Sequence, residues 1–279
     1  MSTTTIGTIG FLGFGNMGKA IAKGVVAAGI VPANKILIKD PGLHVDFAVS
    51  LGHQGYRFAE SDADLFTQAD VVLVAVKPQV AKQERENWKA LFASLQGEGK
   101  VFISIMAGIK APWLREIAPR GAEVVRVMPN LGLSVGIGAT AVAADGASDR
   151  SLEITETIFN SCGTTVLVNE SDMDAVTAVS GSGPMYVFEF IEAMTAAGEK
   201  AGLSRETAYE LVKQTVLGSL ELLKPLDGAP SASPDEWSAR VRSPGGTTAA
   251  AQDLLRAEGF RDMLARAVEA AKNRSIELS

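Results

Sequence analysis

Nine residues near the start of the chain, Gly10-Phe11-Leu12-Gly13-Phe14-Gly15-Asn16-Met17-Gly18, restrict its fold more than any other stretch. Gly13, Gly15 and Gly18 have the spacing G-x-G-x-x-G, set between an apolar run at 5–12 and a helical pattern at 17–28. Each glycine answers a mechanical need: Gly13 allows a tight turn, Gly15 lets backbone approach a pyrophosphate, and Gly18 lets the helix pack on the strand. A strand that feeds a helix through such a turn aims the helix's free N–H groups at a phosphate. The whole turn, with Phe14, Asn16 and Met17, is therefore a candidate dinucleotide-binding segment. The competing reading is a purely structural turn.

The pattern that follows is that of repeated βαβ units. Strands are predicted at 5–12, 35–39, 71–76, 101–105 and 124–128, with weaker ones at 139–143 and 164–168; helices are predicted at 17–28, 62–68, 83–95, 112–117 and 149–161. This predicts an N-terminal Rossmann-type domain over 1–168, doubly wound around a mostly parallel sheet. Strand signals then end, and 169–279 reads as an all-α domain. Within 185–201, Val187, Phe188, Phe190, Ile191 and Met194 spread over a wide arc of one helix. Such a helix needs burial on several sides, which a second copy of the chain supplies, so a homodimer is expected. One loop of low-complexity character, at 225–234, interrupts the helical part.

Composition narrows the partners. With 26 Lys and Arg against 32 Asp and Glu, the net charge is -6 and no basic stripe forms, which speaks against nucleic acid. The longest apolar run, 71–76, stops at Lys77, well short of the ~20 residues that span a bilayer. The first residues resemble no secretion signal, and a cytoplasmic location is expected. Cys162 is the one cysteine, so no intrachain disulfide and no cysteine-based metal site is expected, and it reads as a small buried hydrophobe. His44 and His53 read as solvated loop residues without a third metal ligand at a familiar spacing.

Other candidate residues fall at predicted strand ends, where ligands sit in such sheets. Asp40 lies 22 residues after Gly18, where a carboxylate accepts hydrogen bonds from the adenine ribose and disfavours a 2′-phosphate; Lys39 beside it could hold that phosphate instead. The alternative for Asp40 is an ordinary turn former before Pro41 and Gly42. The third strand ends in Ala75-Val76-Lys77-Pro78, with Lys77 either a solvated loop cation or near the cofactor's phosphates or ribose. The fourth runs into Ser104-Ile105-Met106-Ala107-Gly108, small enough for a flat nicotinamide ring to approach, and the fifth into Met128-Pro129-Asn130. In the helical part stand Ser180-Gly181-Ser182-Gly183-Pro184 and Ser243-Pro244-Gly245-Gly246-Thr247-Thr248. Internal glycines cost about 1 kcal/mol each against alanine. The second cluster offers free N–H groups, hydroxyls and a positive helix end, an anion nest fit for a carboxylate, unless it is only a loop with a threonine N-cap.

Together these motifs, in order and across nearly the whole chain, closely resemble pyrroline-5-carboxylate reductases. The resemblance implies an NADPH- or NADH-dependent reduction of 1-pyrroline-5-carboxylate to L-proline, the last step of proline synthesis. It implies that the nicotinamide lies near Met106, Ala107, Met128 and Pro129. The substrate carboxylate would sit on the backbone of Gly245, Gly246 and Thr247 with the Ser243 hydroxyl, and Thr248 would hydrogen-bond the ring nitrogen. Glu170 matches a position that contacts substrate or its ordered water, and Asp62 stands where the family often has an asparagine near the adenosine ribose. Members pair through interleaved helical domains and often form pentamers of dimers. The chain departs from the family at Leu131-Gly132, where Thr-Pro is usual, at Arg240, where asparagine is frequent, and at Asp40, where small polar residues are common.

A cyclic imine can enter already protonated, so the reaction asks mainly for orientation and for neutralisation of a carboxylate, and two histidines are no obstacle. Thr248 is then an orienting partner rather than a strong acid. Two readings stand beside this one: reduction of a related cyclic imine carboxylate, and a non-catalytic NAD(P)-binding regulatory protein. A 3-hydroxy acid dehydrogenase would require a lysine in the first long helix of the second domain, and 180–197 contains none.

Overall fold

The computed structural model describes residues 5–225 and 231–279. An eight-stranded sheet is formed by β1 (Ile9–Leu12), β2 (Ile36–Lys39), β3 (Arg57–Phe58), β4 (Val71–Val74), β5 (Val101–Ser104), β6 (Glu123–Pro129), β7 (Gly138–Ala143) and β8 (Gly163–Val168), in the order β3-β2-β1-β4-β5-β6-β7-β8. Every neighbouring pair is parallel except β6 with β7. The order reverses between β1 and β4, and such a switch point leaves a crevice at the carboxyl ends of the strands.

The central strands are apolar on both faces because helices cover both. On one face Phe11, Ile38, Leu73, Ile103 and Val127 pack with Ile21 and Val25 of α1 (Asn16–Ala27) and Ile154 and Ile158 of α6 (Asp149–Asn160). On the other, Leu12, Leu37, Val72, Val74 and Phe102 pack with Phe66 of α3 (Asp62–Gln68), Trp88 and Phe92 of α4 (Pro78–Phe92), and Leu114 of α5 (Ala111–Ile117). Cys162 is buried just after α6, as its composition predicts, and burial pushes its thiol up.

Three local expectations need correction. The stretch holding the two histidines is not irregular: His44 is the N-cap of α2 (Val45–His53) and His53 closes its last turn. Only Leu51 of this helix is buried, so its sequence carries almost no apolar period. The helix expected from residue 83 begins instead at Pro78, which occupies the first helical position, where its missing N–H is no loss. The first strand begins at Ile9 rather than at residue 5.

The chain divides into one compact unit of residues 1–182 with 270–279, and a second of 183–269. α7 (Met173–Val176) and a π-helical turn, Thr177–Gly181, lie in the first. There a Cβ on Gly181 would lie 2.5 Å from the Met128 methyl, so the glycine lets this turn close against the end of β6. The second unit carries α8 (Gly183–Lys200), α9 (Arg205–Glu221), α10 (Pro234–Arg240), α11 (Thr247–Ala257) and the start of α12 (Phe260–Leu278). Along α8, Met185, Phe188 and Phe190 are 50%, 59% and 44% exposed in the single chain, which is far more apolar area than a solvated helix offers water. Of the loop expected at 225–234, residues 226–230 lie outside the described residues. Among the described residues no helix is long and apolar enough to cross a membrane.

Candidate active site

The turn after β1 is built around Gly13, whose φ is +88° and whose amide donates to the Lys39 carbonyl at 2.8 Å. A Cβ there would lie 2.7 Å from Val76 Cγ1 and 2.8 Å from the Val76 nitrogen, so no side chain fits between this turn and the segment leaving β4. Gly15 is the N-cap of α1, without a side-chain acceptor, and open space lies where its Cβ would be. The first N–H groups of α1 are thus bare on a side where a ligand can reach them, the arrangement that binds phosphate.

In front of that turn lies a cleft of about 560 Å³, whose lining includes Gly13, Phe14, Gly15, Lys39, Asp40, Asp62, Ala75, Val76 and Lys77. Nine of the residues singled out from sequence are therefore gathered in one place. Asn16, Met17 and Gly18 form the first turn of α1, continuing from Gly15, and Pro78 opens α4 behind its N-cap Lys77. Val80, Glu84 and Trp88, which the sequence reading passes over, line the cleft as well. They are spaced four residues apart and so share one face of α4. A helix started at Pro78 would have revealed them.

Polar side chains in the cleft are held by specific partners. Asp40 accepts from the Phe14 amide at 2.7 Å through Oδ2 and from the Gly42 amide at 2.8 Å through Oδ1, which fastens the end of β2 to the glycine turn. Asp40 thus orders its own turn and also lines the cleft. Lys39 Nζ donates to the Glu60 carbonyl at 2.7 Å. Asp62 Oδ2 accepts from Trp88 Nε1 at 2.8 Å. Nearby, hydrogen bonds from the Gln68 amide and the Glu60 backbone hold Asp64 below the usual carboxylate range. Three carboxylates and two ammonium groups thus share the cleft, and its glycine-lined floor, bare helix end and volume fit a dinucleotide.

The other candidates in this unit stand apart from that lining. Met106 is 2% exposed and belongs to the core with Ala81 and Ile109, so only its backbone is left to face a ligand. Ala107 follows it on the connection between β5 and α5, while Met128 and Pro129 end β6. Glu170 Oε1 accepts from Arg126 Nη1 at 2.7 Å and from the Ala111 amide at 3.1 Å, while its Oε2 is buried without a hydrogen-bond partner. Arg126 is 2% exposed, so Glu170 neutralises a guanidinium buried in the sheet.

In the second unit, Ser243, Gly245, Gly246, Thr247 and Thr248 form a tight turn into α11. Gly245 has φ +68°, and the Gly246 amide donates to the Ser243 carbonyl at 3.1 Å. The N-cap of α11 is Gly246, without a side-chain acceptor, so the threonine cap weighed from sequence does not occur. Thr247 and Thr248 are instead the first two helical residues, both exposed, and no acidic residue occupies the first turn. Free N–H groups and hydroxyls at a positive helix end are what an anion such as a carboxylate requires.

Comparison with known proteins gives one consistent result. Residues 170–278 match the family model for pyrroline-5-carboxylate reductase dimerisation, and residues 8–108 match that for coenzyme F420-dependent NADP oxidoreductases. The chain is 39% identical to the pyrroline-5-carboxylate reductase of Pseudomonas aeruginosa over 273 residues, covering 97% of this chain and 96% of that one. It superposes on the structure of a pyrroline-5-carboxylate reductase from Coxiella burnetii with a TM-score of 0.86 at 32% identity, covering 99% of both chains. The Plasmodium falciparum pyrroline carboxylate reductase, solved with NADP bound, gives a TM-score of 0.82 at 33% identity over 99% of this chain and 98% of that one.

Proposed function

The chain belongs to the pyrroline-5-carboxylate reductase family, and from that premise we propose that it reduces 1-pyrroline-5-carboxylate to L-proline with NADPH or NADH, the closing step of proline synthesis. The observation that carries this reading is the glycine turn opening on a 560 Å³ cleft at the switch point of the sheet, in a chain that also bears the bare N-terminus of α11. The first feature suits a dinucleotide and the second a small carboxylate.

The division of labour follows from the residues. Gly13, Gly15 and the first turn of α1 receive the pyrophosphate, while Asp40, Asp62 and Lys39 face the adenosine end. The backbone of Met106 and Ala107 and the ends of Met128 and Pro129 would hold the nicotinamide, which when bound would supply a hydride for the imine carbon. Gly245, Gly246 and Thr247 with Ser243 hold the substrate carboxylate. Thr248 places a hydroxyl at the ring nitrogen, which enters protonated and leaves as an amine, so no strong base is required. Glu170 acts through Arg126 and the Ala111 amide, and its contribution is to order the connection before α5.

The exposed apolar face of α8 supports a homodimer built through the helical unit, and the family likeness supports a pentamer of dimers in the cytoplasm. Sedimentation of the purified chain tests the assembly: a mass of one chain at micromolar concentration would contradict it. The activity is tested by following NADPH and NADH oxidation with pyrroline-5-carboxylate and identifying proline as product. A six-membered piperideine carboxylate run in parallel examines whether Leu131-Gly132 changes ring-size selection.

A further inference from the structure

The connection between β5 and α5, residues 105–110, is held from outside by a segment far along the chain. Gly108 has φ +72°, and a Cβ on it would lie 3.3 to 3.4 Å from the carbonyl oxygen, carbonyl carbon and Cβ of Leu278. The backbone of this connection therefore rests directly on the last turn of α12. That turn is fixed twice more. Lys82 of α4 donates from Nζ to the Leu278 carbonyl at 2.7 Å. Ser275, 5% exposed, donates from Oγ to Asp174 Oδ1 of α7 at 2.6 Å.

The chemistry of the Lys82 contact is that of a helix cap supplied from elsewhere in the fold. The last four carbonyls of a helix lack intrahelical donors and carry its negative end, so an ammonium placed there is favourable. Lys82 directly follows Ala81, which is fully buried beside Met106 and Ile109 in one core cluster. α4, the connection after β5 and the last turn of α12 thus meet at one junction, with Met106 anchored on its inner side and Gly108 pressed from its outer side. Lys82 itself is exposed and lines no part of the cleft.

We propose that Lys82 is a positioning residue for the cofactor: by capping the last turn of α12 it holds that turn against Gly108, and so sets the backbone of Met106 and Ala107. The proposal rests on the reading that the nicotinamide lies on this backbone. Lys82 follows the Ala75–Pro78 motif by four residues on α4, and its contact with Leu278 links it to the connection after β5.

The test uses the full-length protein with Lys82→Ala and Lys82→Arg. NADPH affinity is read by nicotinamide fluorescence, KM separately for cofactor and imine, and amide hydrogen exchange over 105–110 in the ligand-free protein. Lys82→Ala is expected to weaken NADPH binding about three- to tenfold, the effect of one charge-assisted hydrogen bond. It should also speed exchange at Ala107, Gly108 and Ile109, leaving the KM for the imine unchanged. Lys82→Arg, which keeps a cationic donor, should restore both. Unchanged affinity together with unchanged exchange overturns the proposal, whatever happens to thermal stability, and so does an arginine variant that behaves like the alanine one. If the wild-type chain binds no dinucleotide, the cofactor reading fails separately, and exchange over 105–110 still decides whether Lys82 holds this connection.

Discussion

The indole of Trp88 donates to the carboxylate of Asp62 at 2.8 Å, joining α4 to the first turn of α3 on the wall of the cleft. Trp88 is buried and stacks on Phe92 with ring centroids 6.4 Å apart, so Trp88→Phe keeps most of the packing while removing the donor. We expect a loss of about 1 kcal/mol in stability from the missing hydrogen bond. The cofactor KM should rise as the Asp62 carboxylate swings free. Denaturant unfolding beside steady-state kinetics measures both, and an unchanged KM would remove Asp62 from the cofactor site.

Asp40 places a carboxylate in the same cleft, fastened by the Phe14 and Gly42 amides. A negative charge there disfavours a ribose phosphate, so Asp40→Ser should raise the ratio of kcat/KM for NADPH over NADH by about tenfold, equivalent to about 1.4 kcal/mol. Because the glycine turn also loses an acceptor, affinity for both cofactors should fall. A ratio that stays put would show that Asp40 serves the turn alone.

Thr248 is exposed at the second position of α11 and accepts no role in the packing of its helix. Thr248→Ala should therefore leave the melting temperature nearly unchanged while lowering kcat by about ten- to a hundredfold, the effect of losing one hydrogen bond to a charged group, about 1.5–3 kcal/mol. Thr248→Ser, which keeps the hydroxyl, should recover most of that loss. Equal rates for the alanine variant and the wild type would exclude the residue from the reaction.

The acid limb of stability should depend on Glu123. Its carboxylate lies below the usual carboxylate range because of hydrogen bonds from Ser148 first and Ser151 second, with burial opposing them. Ser148 is also the N-cap of α6, its hydroxyl accepting from the Ser151 amide. A group whose folded pKa is depressed binds more protons when unfolded. Its stabilisation is thus present above the unfolded value of about 4.3 and is lost as the pH falls through the folded one. Glu123→Gln should flatten the pH dependence of unfolding below that point, whereas Ser148→Ala should cost about 1 kcal/mol at neutral pH as well. Parallel acid limbs in the two proteins would contradict this.

What the sequence made legible follows from how local each signal is. The glycine turn, the central strands and the carboxylates at strand ends are short-range features, and Gly13, Gly15, Asp40, Asp62 and Lys77 do line one cleft. α2 was hidden because its buried face amounts to Leu51. Val80, Glu84 and Trp88 were hidden by a helix start read at residue 83 instead of at Pro78. The environment of Glu170 could not be read at all, since its partner Arg126 stands 44 residues away on a strand whose other inward residues are apolar. The same holds for Lys82 and Leu278, which are separated by 196 residues and carry no shared pattern. Such long-range pairs are set by topology, and only the folded chain displays them.

The central claim is that this chain transfers a hydride from a reduced nicotinamide to the imine of 1-pyrroline-5-carboxylate. The most direct measurement is the rate of NADPH and NADH oxidation by the purified protein with that substrate, with the product identified in the same reaction. The account predicts cofactor oxidation matched mole for mole by L-proline, with a definite ratio of kcat/KM between the two cofactors. Dinucleotide binding without any proline formed, with either cofactor, would contradict it.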